Sequence, residues 1–280
     1  MAELRRRLIR EGYLYLPGLL AREAVAEVSG LLESTLAATE FDGFTADSFA
    51  TVYPRVQRLE AFHRLAHHDA LRSLAGGLLG ADVFCHPAKV VRIIASAGAE
   101  SSFATRAHQD FVVQHVASDV LTVWLPFTDC DERHQGLRLI PGSHRDGFIP
   151  VDESLPGARP LYLNVPFDDE RWRTAGFRIG DIVVFHSFTV HAGGPNASDR
   201  VRLSADIRYQ RVSEPIRAEF LRPHGWPRTP DWDELCADWS TRAWVEVPDG
   251  VHAVPMPQDI SYRDYLSTLV APPSLLLKGN

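Results

Sequence analysis

In Thr105-Arg106-Ala107-His108-Gln109-Asp110-Phe111, an imidazole and a carboxylate stand two residues apart. On a strand that spacing turns both side chains to one side. A neutral imidazole and a carboxylate are two of the three ligands in a facial triad. That set suits non-haem Fe(II) and leaves coordination positions open. The third ligand must come from a distant strand, and twelve histidines are available. The stretch from Gly180 to Arg202 offers two, His186 and His191. His191 closes a β-branched and aromatic run just before Gly193-Gly194-Pro195-Asn196. His186 lies five residues earlier, so it faces the other side of the same run and reads as a core histidine. A second His-x-Asp pair, His67 and Asp69, falls in a helical stretch. There i and i+2 diverge around the axis, and no metal is expected.

These residues need a frame. Residues 2–11 read as a short charged helix and 12–18 as a strand stopped by Pro17-Gly18. Val25, Val28, Leu32 and Leu36 recur at helical spacing. A second helical stretch is expected over 59–79, ended by Gly76-Gly77 and Gly80. From residue 82 the texture becomes β. Lys89–Ser96, Val120–Leu125, Ile182–His186 and Val201–Tyr209 are the clearest strands, separated by Gly, Pro and Asn turns. Many short strands with turns between them read as a sandwich or jelly roll. Residues 146–178 form a long polar insert, the kind of segment that serves as a lid. Arg159, Tyr162, Trp172, Arg173 and, in the tail, Trp226 are its candidate contacts. The expected organisation is one domain over 1–280: helices to about 80, a β core over about 82–212, and a C-terminal extension over 213–280.

Composition bounds the partners. The chain has 280 residues, is 45% apolar, and carries 29 basic against 36 acidic residues for a net charge of −7. A clamp on nucleic-acid phosphates is usually basic, so none is expected. No apolar run is long enough to span a membrane. The three scattered cysteines, Cys85, Cys130 and Cys236, suggest neither a disulfide framework nor a zinc site and fit a cytoplasmic location. Oligomeric state is not legible.

The ordered set His108, Asp110, His191, Asn196, Ser198 and Arg202 resembles the phytanoyl-CoA dioxygenase family of Fe(II)- and 2-oxoglutarate-dependent oxygenases. Three further stretches agree: 11–19 as an opening strand, Trp124–Asp129, and Gly136–Arg145 with its Pro-Gly-Ser-His turn. The resemblance spans about residues 8 to 210. It implies a mostly β fold with α elements: a double-stranded β-helix (a cupin-like jelly roll) with an N-terminal helical cover. It implies His108, Asp110 and His191 as metal ligands and catalytic centre, with Fe(II), 2-oxoglutarate and O2 as cofactor and cosubstrates. Arg202, eleven residues after His191, is implied as the clamp on the far carboxylate of 2-oxoglutarate, since a guanidinium matches a carboxylate as a fork. Arg200 has the same strand parity and is its competitor. Trp124 matches a tryptophan lining the cosubstrate pocket. Arg92 and Lys89 are candidates for an acid group of cosubstrate or substrate. Phe111 and Arg106, close to the ligands in sequence, are candidate substrate contacts. Gly193 replaces the serine that relatives often carry there.

Halogenating relatives lack the carboxylate ligand, so Asp110 implies hydroxylation, desaturation or ring closure of a small molecule; a place in natural-product biosynthesis is expected from the size of the chain and the breadth of the family, not from any one residue. The alternative is a jelly-roll metal protein without oxygenase activity, an isomerase or a binding module. Arg202 discriminates between them, because such a protein has no need of a buried carboxylate clamp.

Overall fold

The computed structural model describes residues 1–39, 46–95, 105–131, 134–150, 162–225 and 229–277. Helix α1 (Ala2–Glu11) leads through Gly12, in a left-handed conformation at φ 81°, into strand β1 (Tyr13–Leu16). Four helices follow: α2 (Arg22–Ala37), α3 (Ala46–Gln57), α4 (Glu60–Leu65) and α5 (Asp69–Leu79). The β region contains β2 (Val83–Cys85), β3 (Val90–Ile94), the short helix α6 (Phe111–Gln114), β4 (Leu121–Pro126), β5 (Leu137–Leu139), β6 (Ile182–His186), β7 (His191–Gly193) and β8 (Arg202–Arg211). After it come β9 (Ile216–Arg217), α7 (Trp232–Leu235), β10 (Ala253–Val254) and α8 (Tyr262–Ser267). No helix among the described residues is long and apolar enough to cross a membrane.

The main sheet runs β1-β6-β4-β8, with β2 and β3 both pairing with β8, and all its pairs are antiparallel. A small second sheet pairs β5 with β7. Alternation along the strands divides the interior. Leu121, Val123 and Leu125 of β4 and Leu203, Ala205, Ile207 and Tyr209 of β8 join one core with Leu8, Leu32, Phe62 and Leu71 of the helices. Trp124 of β4 and Val183 and Phe185 of β6 face the other way and pack with Leu137 and Leu139 of the small sheet. Burying a leucine fully is worth about 1.5–3 kcal/mol, so this two-sided pattern pins the register against a one-residue slip.

Several expectations need correction. The helix expected over 59–79 is broken at 66–68, and His68 caps the second part by accepting from the Ala70 amide. The His67–Asp69 pair therefore sits at a helix start and not inside a helix. Gly76 and Gly77 do not end α5, which continues to Leu79 and stops at Gly80 in a left-handed conformation. The methionine side chain of Met1 lies where a Cβ on Gly77 would stand, so this glycine admits close packing. Helix α3 carried no periodic signal in the sequence reading, and it holds Pro54 within it. Its buried Val52, Tyr53 and Val56 bring it onto the core. Part of the polar insert (151–161, with Arg159) and Trp226 lie outside the described residues.

Burial lowers the pKa of His86 to about 3, and of His67 and His144 to about 4. The unfolded chain binds protons at these groups near pH 6.5, whereas the folded chain refuses them until lower pH. Their contribution is thus complete above pH 6.5 and is lost as pH falls towards 4. Glu214, raised by burial, opposes this as a single group. We expect the melting temperature of the metal-free protein to fall steadily between pH 7 and pH 5. A flat profile by scanning calorimetry would contradict it.

Candidate active site

His108 and His191 face each other as a doubly hydrogen-bonded antiparallel pair, each amide donating to the other's carbonyl at 3.0 Å. The Gly193 amide donates to the Thr105 carbonyl at 2.9 Å, so residues 105–108 run beside β7 as a further edge of the small sheet. Each imidazole Nδ1 lies on a backbone carbonyl: His108 on Arg106 at 2.8 Å, His191 on Thr189 at 2.9 Å. Donation there fixes the tautomer and leaves the Nε2 lone pairs free, the orientation that metal-binding histidines adopt.

Asp110 reaches the same point by a route the sequence did not show. It is not on a strand. It caps α6 with helical backbone angles, and the next amide, of Phe111, donates to the Ser187 carbonyl at 3.1 Å. Its Oδ1 lies 3.8 Å from His108 Nε2 and 3.7 Å from His191 Nε2. The three ligand atoms lie within 4.8 Å of one another, and all three residues are buried. The Thr122 hydroxyl donates to Asp110 Oδ2 at 2.6 Å, and Arg208 approaches both carboxylate oxygens at 3.1–3.2 Å. Burial acts to raise the Asp110 pKa, but Arg208, the two imidazoles and Thr122 outweigh it and hold the carboxyl well below its usual range. Burial, with His191 close by, lowers the His108 pKa to about 3. Two neutral imidazoles and one carboxylate with convergent free lone pairs fit a divalent iron ion.

From this corner a pocket, partly open to solvent, extends between the sheets. Strand β8 lines it by parity: Arg202, Ser204 and Asp206 point in, while Leu203 and Ala205 point to the helices. Arg202 is 3% exposed. Its Nη1 donates to the carbonyls of His134, Gln135 and Gly194, and its Nε has no hydrogen-bond partner. No carboxylate pairs with it among the described residues, and burial lowers its pKa to about 10. A buried cation with unspent donors facing a cavity is a site for an anion. Arg200 is exposed and precedes the strand. Gly193 lines the pocket beside Thr105, whose hydroxyl accepts from Arg92 Nη1 at 3.2 Å.

Trp124 lines the pocket and packs edge-on against Phe177 at 4.8 Å. Arg92 also lines it, but its Nε and Nη2 are committed to Asp206 at 2.7 and 2.6 Å. That pairing neutralises a carboxylate that would otherwise repel an anionic ligand. Lys89 stands just before β3, is fully buried, and donates to the Trp244 carbonyl at 2.8 Å. Phe111 is fully buried against Phe148 and Phe188 and is not among the residues lining the pocket. Arg106 is exposed, with its guanidinium 6.0 Å from the Tyr162 ring, and that ring meets His108 edge-on at 6.3 Å. His186 is apart from the triad: its Nε2 bonds Asp119 at 3.2 Å and its Nδ1 accepts from the Phe188 amide. Sequence reading missed Thr122, Arg208, Asp206 and Ser204. Extending the parity of Arg202 along β8 would have found the last three.

Two imidazoles that share a pocket with a buried arginine, and a carboxylate converging on them, are the site of an iron- and 2-oxoglutarate-dependent dioxygenase. Residues 8–204 match the phytanoyl-CoA dioxygenase (PhyH) family, and the chain belongs to that family. The 1-deoxypentalenic acid 11-beta-hydroxylase of Streptomyces exfoliatus is 30% identical over 237 residues, covering 78% of this chain and 83% of the relative. The structure of the non-heme alpha-ketoglutarate-dependent epimerase SnoN from nogalamycin biosynthesis is similar at 25% identity and a TM-score of 0.58, covering 77% of this chain and 82% of that one. SnoN in complex with Fe3+, alpha ketoglutarate and nogalamycin RO shares the fold at 24% identity and a TM-score of 0.60, covering 77% and 85%.

Proposed function

We propose that His108, Asp110 and His191 hold Fe(II), that Arg202 clamps the far carboxylate of 2-oxoglutarate, and that the enzyme oxidises an unactivated C–H bond of a small natural product. The observation that carries this reading is the meeting of two features: three convergent ligand atoms, two of them on histidines that line the pocket, and in the same pocket an arginine with no acid partner among the described residues. When bound, iron and 2-oxoglutarate supply the oxidation, consuming O2 and releasing succinate and CO2. The chain's part is to orient and to exclude water. Nδ1 contacts to backbone fix both imidazoles. Trp124 and Leu137 give the pocket apolar walls. The facing sheets are read as the two halves of a double-stranded β-helix, supported by the core they share. The chain is read as one domain, since strands, helices and Leu276 of the tail join a single core. The described part of the insert packs Leu163 with Ala107 beside His108, which supports a role in covering the site.

The carboxylate ligand bears on outcome. As a third protein ligand, Asp110 would occupy the position that halogenating relatives leave to chloride. A substrate panel that includes 1-deoxypentalenic acid, run in chloride buffer, should give a product that gains one oxygen atom or loses two hydrogens. A chlorine isotope pattern in the product mass would overturn the reading. Asp110→Gly should abolish oxidation.

A further inference from the structure

Arg208 is neither a metal ligand nor part of the cosubstrate clamp, and it lies beyond residue 204, where the family match ends. It is 4% exposed, with the Phe220 ring 5.6 Å from its guanidinium. The sheet register sets Thr122 of β4 directly opposite Arg208 of β8. Two neighbouring strands therefore present both donors to one carboxylate. Asp110 Oδ2 takes Thr122 Oγ1 at 2.6 Å and Arg208 Nε and Nη2 at 3.2 and 3.1 Å. Oδ1 takes a single contact, from Nη2 at 3.2 Å, and is the oxygen that faces the imidazoles.

We propose that Arg208 is a positioning residue: with Thr122 it holds Asp110 as a one-oxygen ligand through Oδ1, and so keeps open a coordination position that a two-oxygen Asp110 would fill. This rests on the metal reading above. A carboxylate beside a divalent ion can bind through one oxygen or both. Binding through both requires Oδ2 to leave Thr122 and the guanidinium. Among the described residues Arg208 pairs with no other carboxylate, so that movement would strand a buried cation. The planar fork also restrains rotation of the carboxylate, which a lysine, a point charge, cannot do. Partners behind a metal ligand are worth about 10- to 100-fold in metal affinity or activity.

The test is titration of the metal-free protein with Co(II), following affinity and the visible d–d spectrum, whose intensity reports coordination number. Wild type, Arg208→Met and Arg208→Lys are compared, with melting temperature as the check on folding. We expect Arg208→Met to bind Co(II) about 10- to 100-fold more weakly, with an altered spectrum. Arg208→Lys should recover part of the affinity but not the wild-type spectrum. A lowered melting temperature with unchanged affinity and spectrum would mean that Arg208 only stabilises the fold, and the proposal would be overturned. Should Arg208→Met not fold, Thr122→Val removes the other Oδ2 donor at constant shape; an unchanged spectrum there overturns the proposal equally. Failure of the wild type to bind Co(II) would instead bring down the metal reading itself, and this proposal with it.

Discussion

Replacing His191 with alanine is expected to abolish the visible charge-transfer band that Fe(II) and 2-oxoglutarate should give with the wild-type protein, while His186→Ala keeps it. His191 Nε2 is one of three convergent ligand atoms, and its loss leaves two. His186 is fully buried too, but both its ring nitrogens are spent within the fold, on Asp119 and on the Phe188 amide. Asp119 retains Arg211 at 2.6 Å, the Leu276 amide at 2.7 Å and Ser274 when His186 is gone. His186→Ala should therefore cost stability, about 2–5 kcal/mol for truncating a large buried side chain, and show a lower melting temperature with an intact band. Anaerobic absorption spectroscopy of the two variants, held below their melting temperatures, decides the matter. Loss of the band in His186→Ala alone would reassign the third ligand.

The second large effect concerns Arg202. Arg202→Met should raise the dissociation constant for 2-oxoglutarate by roughly 30- to several-thousand-fold, the equivalent of about 2–5 kcal/mol for a buried charge left without its partner. Arg202→Lys should recover little, because a point charge cannot fork onto a carboxylate. Arg200→Ala, at an exposed position ahead of β8, should change the constant by less than about threefold, the scale of an exposed charge. Calorimetric titration of the metal-loaded protein gives all three values. Equal losses for Arg200 and Arg202 would remove Arg202 from the clamp. A 2-oxo acid without the distal carboxylate is the control: its affinity should be the same in wild type and Arg202→Met.

Local chemistry made much of this legible in the amino-acid sequence. Runs of β-branched and aromatic residues between turn residues mark Leu121–Pro126, Ile182–His186 and Arg202–Arg211 as strands, and the period of two intrinsic to a strand sends neighbouring side chains to opposite faces. The same parity carries Arg202 into the pocket, and the His-x-Asp spacing singled out two of the three side chains that converge. Parity also placed His186 away from His191. Where the signal failed, local preference had competed with packing. Asp110 reaches the two imidazoles from a helix cap, because the Phe111 amide is held by the Ser187 carbonyl, a pairing across 76 residues of chain. Helix α3 forms despite Pro54, because Val52, Tyr53 and Val56 bury in the common core. Partnership was the other thing sequence could not supply. That Arg92 is spent on Asp206, that Arg208 and Thr122 meet on Asp110, and that Arg202 meets no acid among the described residues are decided by antiparallel register. A buried charge takes its character from what stands opposite it, and only the folded sheet sets residues 122 and 208 side by side.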